Sequence, residues 1–158
     1  RDRSPSRGLG DVYKRQRNWI VITDMAYPLQ NKPGIETIYT GESFEDVVEA
    51  VCKKLNKTPH VYGHFYQDEE LKALTDELCP GIQDYRNVVK KFVPEEEVNY
   101  VRHDKLLARI DNVSRSYNVL VIKTKHVMRY TSLFIELDCK YWNKDSQEKL
   151  EKTLREMK

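Results

Sequence analysis

The sequence is poor in the features that most often announce a chemistry. Its three cysteines, Cys52, Cys79 and Cys139, are odd in number, widely spaced and never in a CxxC, which argues against a disulfide framework or a thiolate metal site and leaves them as small buried apolar residues. It has no Gly-rich phosphate loop, no GxSxG and no HExxH, so nucleotide hydrolysis, hydride transfer and zinc proteolysis lose their usual signatures. Histidines are few. His60 and His64 are four apart, the spacing of a helical metal pair, but the intervening VYG is strand-like and suggests no third ligand; no metal is expected. No apolar run approaches the roughly 20 residues of a membrane span, and no signal peptide is visible, so the expectation is a cytoplasmic protein without a membrane partner.

The chain also lacks a basic block once its first residues are considered apart. SRGLGDVYKRQ (6–16) has no helical period, cap or β-alternation. Back-translated, Val12-Tyr13-Lys14-Arg15-Gln16 reads GTG TAT AAG AGA CAG, which resembles the transposon-end adapter of sequencing-library preparation, and SRGLGD resembles the rest of it in frame. Residues 6–16, and with them 1–5, are read as an adapter-derived, disordered tail outside the fold. They hold five basic residues against two acidic, so the formal +2 of the whole chain becomes −1 for residues 17–158. That near-neutral balance removes the composition argument for nucleic acid.

What remains suits one domain with one sizeable core. WIVIT (19–23) is a short apolar strand ending in Asp24, and turn chemistry follows at Pro28 and Pro33-Gly34. IETIYT (35–40) reads as a second strand. Ser43 then caps a helix whose Phe44, Val47, Val48, Val51 and Leu55 fall on one face. HVYGHFYQ (60–67) alternates as a strand, DEELKALTDEL (68–78) reads as a short helix, and Pro80-Gly81 precedes the helix IQDYRNVVKKFV. EVNYVR (97–102) is a strand and HDKLLARIDNVSR (103–115) a helix with Leu106, Leu107 and Ile110 inward. YNVLVIKT (117–124) and YTSLFIEL (130–137) are strands joined by the bend KHVMR, and a charged helix closes the chain over 145–158.

Strands interleaved with helices predict a three-layer α/β/α domain with a mainly parallel central sheet, in which WIVI and VLVI have the two-sided apolarity of central strands. Ligands of such sheets bind beyond the carboxyl ends of the strands, which singles out Asp24 after WIVIT and His103 after VNYVR. Alternation in YTSLFIEL puts Tyr130, Ser132, Phe134 and Glu136 on one strand face and Thr131, Leu133, Ile135 and Leu137 on the other. Each piece has an ordinary structural reading: Asp24 as the cap of a loop, His103 as the neighbour of a helix cap, Tyr130 and Ser132 as edge-strand residues.

In their order, the pieces resemble the D-ribose pyranase and L-fucose mutarotase family. WIVITDMAYP is similar to that family's apolar strand followed by Asp, a short linker and Pro. VNYVRHDKLL is similar to its strand followed by His, an acidic residue and a helix, and VLVIKTKHVMRYTSLFIEL to its paired closing strands, which carry a Tyr-Ala-Asn or Tyr-Gly-Asn triplet. The agreement covers roughly residues 17–140. It implies a cofactor-free and metal-free enzyme that interconverts anomeric or pyranose and furanose forms of a monosaccharide, assembled as a ring-shaped homo-oligomer with sites near subunit contacts.

On the matching positions, Asp24 would bind sugar hydroxyls and orient a neighbouring acid or base. His103 would contact the sugar or transfer protons, Tyr130 would bind or donate, and Ser132 would bind. Ring opening needs a base for the anomeric hydroxyl and an acid for the ring oxygen, and an imidazole can serve as either. The chain departs from the pattern in three places. Its triplet reads Tyr130-Thr131-Ser132, with a hydroxyl where the family has an amide; Lys125 and His126 stand where the family has Gly-Glu; and PGIETIYTG and the charged tail from Tyr141 are unlike the characterised enzymes. The family also carries a catalytic His eight residues before the Asp, a position that Gln16 occupies here. The resemblance thus implies an impaired catalyst in this form, and leaves a noncatalytic sugar-binding or regulatory module as the alternative.

Overall fold

The computed structural model describes residues 17–158; the adapter reading of 1–16, and the histidine position occupied by Gln16, lie outside them. Six strands form one sheet: β1 (Trp19–Thr23), β2 (Ile35–Tyr39), β3 (Val61–Asp68), β4 (Val98–Val101), β5 (Val119–Lys123) and β6 (Leu133–Cys139), in the order β2-β5-β1-β6-β3-β4. The pairs β1·β5, β2·β5 and β3·β4 are parallel, whereas β6 runs antiparallel to both β1 and β3. Five strands therefore share one direction and β6 alone opposes them, as the expected mainly parallel sheet requires.

The described helices are α1 (Phe44–Lys57), α2 (Ile82–Phe92), α3 (His103–Val113) and α4 (Lys144–Glu156). Pleating sends alternate side chains of each central strand to opposite faces, and each face finds its own helices. Ile22, Ile122, Leu133 and Ile135 pack with Phe44, Val47 and Val48 of α1 and Ile82, Tyr85 and Val89 of α2. Trp19, Val21, Val119, Val121 and Phe134 pack with Leu106, Ile110 and Val113 of α3. Two buried layers on one sheet give the three-layer architecture. Cys52 joins the first cluster, where burial pushes its thiol up to about 11; it, Cys79 and Cys139 are free.

Helix α1 begins as expected, with Ser43 Oγ accepting from the Asp46 N–H at 3.1 Å. Two expectations need correction. DEELKALTDEL is not an α-helix: Asp68 closes β3, and only Glu69–Ala73 forms a short 3-10 turn. Arg86 Nη2 donates to the carbonyls of Leu71 at 2.5 Å and Leu74 at 2.6 Å, while Thr75 Oγ1 and Asp76 Oδ1 accept from the N–H groups of Leu78 and Gln83. These local bonds replace the helical ladder.

The closing strand likewise starts at Leu133, not Tyr130. Tyr130 has φ 61°, in the left-handed region that strand residues do not adopt, so the face shared by Tyr130 and Ser132 along a strand does not exist. From Leu133 onward the expected alternation holds, with Leu133 and Ile135 in one core cluster and Phe134 in the other. The last helix begins at Lys144, capped by the Asn143 side chain accepting from the Ser146 N–H at 2.8 Å. Among the described residues no helix is long and apolar enough to cross a membrane.

Candidate functional site

The direction of the strands decides where polar side chains meet. The carboxyl ends of β1, β3, β4 and β5 and the amino end of the opposed β6 lie along one edge of the sheet. A cleft of about 330 Å³ opens there, lined by Asp24, Tyr27, His103, Arg129, Tyr130 and Ser132 among others. All four residues singled out in the sequence line this one cleft, although they lie up to 108 positions apart in the chain, from Asp24 to Ser132.

Asp24 follows β1 at the start of a tight turn, where its Oδ1 accepts from the Ala26 N–H at 3.0 Å. The capping role and the cleft-lining role are therefore combined in one residue. Burial pushes its carboxyl above the ordinary value, against the opposing effect of the Ala26 and Tyr27 backbone and of Lys123 and His103. Tyr27, buried beside it, donates from its hydroxyl to Gln30 Oε1 at 3.2 Å.

His103 is the first residue of α3, held from two sides. Its N–H donates to Glu70 Oε1 at 3.0 Å, and its Nδ1 lies 2.9 Å from Asp68 Oδ2. Asp68 is fully buried at the end of β3, and its other oxygen, Oδ1, has no hydrogen-bond partner among the described residues. Burial raises the Asp68 carboxyl; the hydrogen bond from His103 acts against it. The same hydrogen bond, with the charge of Asp68, raises the imidazole above its ordinary value despite partial burial. Holding Nδ1 on a carboxylate fixes the ring and leaves Nε2 to meet a ligand.

Tyr130 stacks edge-to-face on His103, with ring centroids 5.4 Å apart and an interplanar angle of 82°, and the Arg129 guanidinium lies 4.7 Å above the Tyr130 ring. Its left-handed backbone is one of the strained conformations that concentrate at functional sites. The loop is tied at both ends. Tyr85 donates from its hydroxyl to the Thr131 carbonyl, Thr131 Oγ1 donates to the Met128 carbonyl at 2.8 Å, and the His126 carbonyl accepts from the Met25 N–H at 2.9 Å. Ser132 Oγ is 2.6 Å from Thr23 Oγ1, where either hydroxyl can donate. His126, which the sequence comparison set against a family Glu, packs between Phe44 and Tyr85 with centroids 5.0 and 5.2 Å away; burial lowers its pKa.

The residue missed in the sequence is Asp68. The rule that selects Asp24, a polar residue at a strand's carboxyl end, selects it equally, but Asp68 opens the helix-forming run DEELK, which hides the strand end. Arg129 and Tyr27 carried no signal beyond proximity in sequence to Tyr130 and Asp24. Among the described residues no group of three or more His, Cys, Asp and Glu is placed to hold a metal ion; His64 instead meets Asp138 through Nε2 at 2.8 Å.

No protein-family model matches the chain, and no curated protein matches it by sequence. Its fold does have solved counterparts. Bacillus subtilis RbsD, in complex with D-ribose, superposes with a TM-score of 0.53 over 86% of this chain and 95% of that one, at 14% identity. The fucose mutarotase of Streptococcus pneumoniae, in complex with L-fucose, gives a TM-score of 0.51 over 76% of this chain and 81% of that one, also at 14% identity. The chain thus has the α/β fold of RbsD and fucose mutarotase.

Proposed function

We propose that a protein with this fold and this cleft is a monosaccharide mutarotase or pyranase, interconverting anomeric or ring forms of a ribose- or fucose-like sugar by general acid–base catalysis. The observation that carries the reading is His103, held at Nδ1 by the buried Asp68 and lining one cleft with Asp24 and Tyr130. In ring opening, His103 Nε2 takes the proton of the anomeric hydroxyl as the bond between the anomeric carbon and the ring oxygen breaks. An acid returns a proton to that oxygen, and the open-chain carbonyl closes again by the reverse steps on either face. Asp68 holds the imidazole and steadies the imidazolium; Asp24 binds and orients sugar hydroxyls, and Tyr130 binds or donates. The carbon–oxygen bond breaks and re-forms with proton transfer alone and no net oxidation or reduction, so the proposed reaction calls for neither metal nor nicotinamide. A cytoplasmic location and a ring-shaped homo-oligomer complete the proposal; the ring is supported by Val127 and Met25, apolar side chains that line the cleft and are 83% and 46% exposed.

Exchange NMR of D-ribose and L-fucose tests it. With Gln16→His, which restores the histidine that the resemblance implies, the protein is expected to speed interconversion over buffer for at least one of them, and His103→Ala in that background to remove about a hundredfold or more of the gain. No acceleration for either sugar sinks the catalytic reading. One observation favours a noncatalytic sugar-binding module: Ser132 Oγ, standing where the resemblance has an amide, is already engaged by Thr23. Thermal stabilisation by a monosaccharide without faster exchange would select that second reading.

A further inference from the structure

A second cavity, of about 260 Å³, lies between the 3-10 turn Glu69–Ala73, α2 and the edge strand β4, away from the residues of the sugar cleft. Its buried lining combines apolar Leu71, Val89 and Val93 with Gln67 and Tyr85, whose amide and hydroxyl bond each other at 2.8 Å. Its rim is cationic, with Lys72, Arg86 and Lys90 facing the single carboxylate of Glu95. Among the described residues none of these three cations has an ion-pair partner. Glu95 is already engaged, accepting from the Tyr100 hydroxyl at 2.8 Å.

Two of the cations are also held in place without being neutralised. Arg86 is anchored through Nη2 on the Leu71 and Leu74 carbonyls, and Lys72 Nζ rests 4.3 Å above the Tyr100 ring. A fixed guanidinium bonded only to neutral dipoles keeps its charge available, and Arg and Lys together are the usual receptors of phosphate oxygens. The rim carries a net two positive charges, which a phosphate monoester, at about −1.5 to −2 near neutral pH, would match. The apolar part of the lining would take a small carbon body, and the volume lies at the low end for ligand sites.

We propose that this cavity is a second binding site, for a small organic phosphate monoester. The phosphate sits against Lys72, Arg86 and Lys90, and the carbon body lies on Leu71, Val89 and Val93. The site is separate from the sugar cleft and does not depend on the mutarotase reading.

Titration with phenyl phosphate, followed by calorimetry and phosphorus NMR, tests the site, with inorganic phosphate as the charge-only probe. One saturable site is expected. Lys72→Glu and Lys90→Glu, both at exposed positions, should each weaken it about tenfold or more, inorganic phosphate should bind at least about tenfold more weakly than the ester, and His103→Ala should leave the affinity unchanged. Absence of saturable binding up to about 10 mM overturns the proposal. So does an affinity indifferent to both charge reversals, equal binding of inorganic phosphate, or loss of binding in His103→Ala, which would move the ester to the sugar cleft.

Discussion

Asp68 and His103 each alter the other's proton affinity, and this gives a measurable signature. The imidazole is raised above its ordinary value chiefly by the hydrogen bond to Asp68 Oδ2. The folded state therefore holds the His103 proton more tightly than the unfolded chain. The stability this confers is fully present below the ordinary histidine range and disappears as pH rises through the raised folded value. Asp68→Asn removes the charge, so the His103 midpoint, followed by its ring-proton NMR signal, is expected to move down and the acid-side stabilisation to shrink. An unmoved midpoint would mean that the pair does not set the imidazole. Asp24 and His103 were legible in the sequence because Asp24 follows β1 directly and His103 stands two positions past the end of β4. Tyr130 stands out in the sequence through an expected strand position and through the resemblance; the strand position does not hold, and its left-handed backbone and its contact with His103 bring it to the cleft. No local pattern announces such a conformation in a tyrosine.

The elements were legible where burial dictates them. β1 and β5 are apolar on both faces because helices cover both, and α1 shows its period because one stripe meets the core. DEELKALTDEL has helix-forming residues, but the carbonyls of Leu71 and Leu74 go to Arg86, a partner that no window around residues 68–78 contains. Close approaches are equally hidden. A Cβ on Gly34 would collide with the Ser114 carbonyl and fall 2.8 Å from the Tyr117 oxygen, because the start of β2 passes directly under the end of α3. Backbone cannot yield as a side chain can. Gly34→Ala is expected to destabilise by about 1–3 kcal/mol, read as a lower midpoint in denaturant unfolding; an unchanged midpoint would mean that this crossing is loose.

For the whole molecule, the layer order followed from the sequence, but the place of β6 did not. Nothing in LFIELDC states that it enters between β1 and β3 and runs against them. The proposed ring also belongs to this scale. Val127, 83% exposed beside the cleft, is the apolar side chain most open to a neighbouring subunit. Val127→Asp is expected to lower the assembly mass in light scattering and to reduce sugar exchange with it; a variant that keeps its mass places the subunit contacts elsewhere.

The opposed strand has one more consequence, which concerns synthesis. β2, β5 and β1 form one parallel half-sheet and β3 and β4 another, and among the described residues β6 is the only strand hydrogen-bonded to both. Asp24 stands on the first half and Asp68 and His103 on the second. A nascent chain that has emerged only as far as Lys123 holds every strand except the one that joins them. Asp24 and His103 come together in one cleft only when β6 leaves the ribosome and docks, so the cleft forms in a single late event.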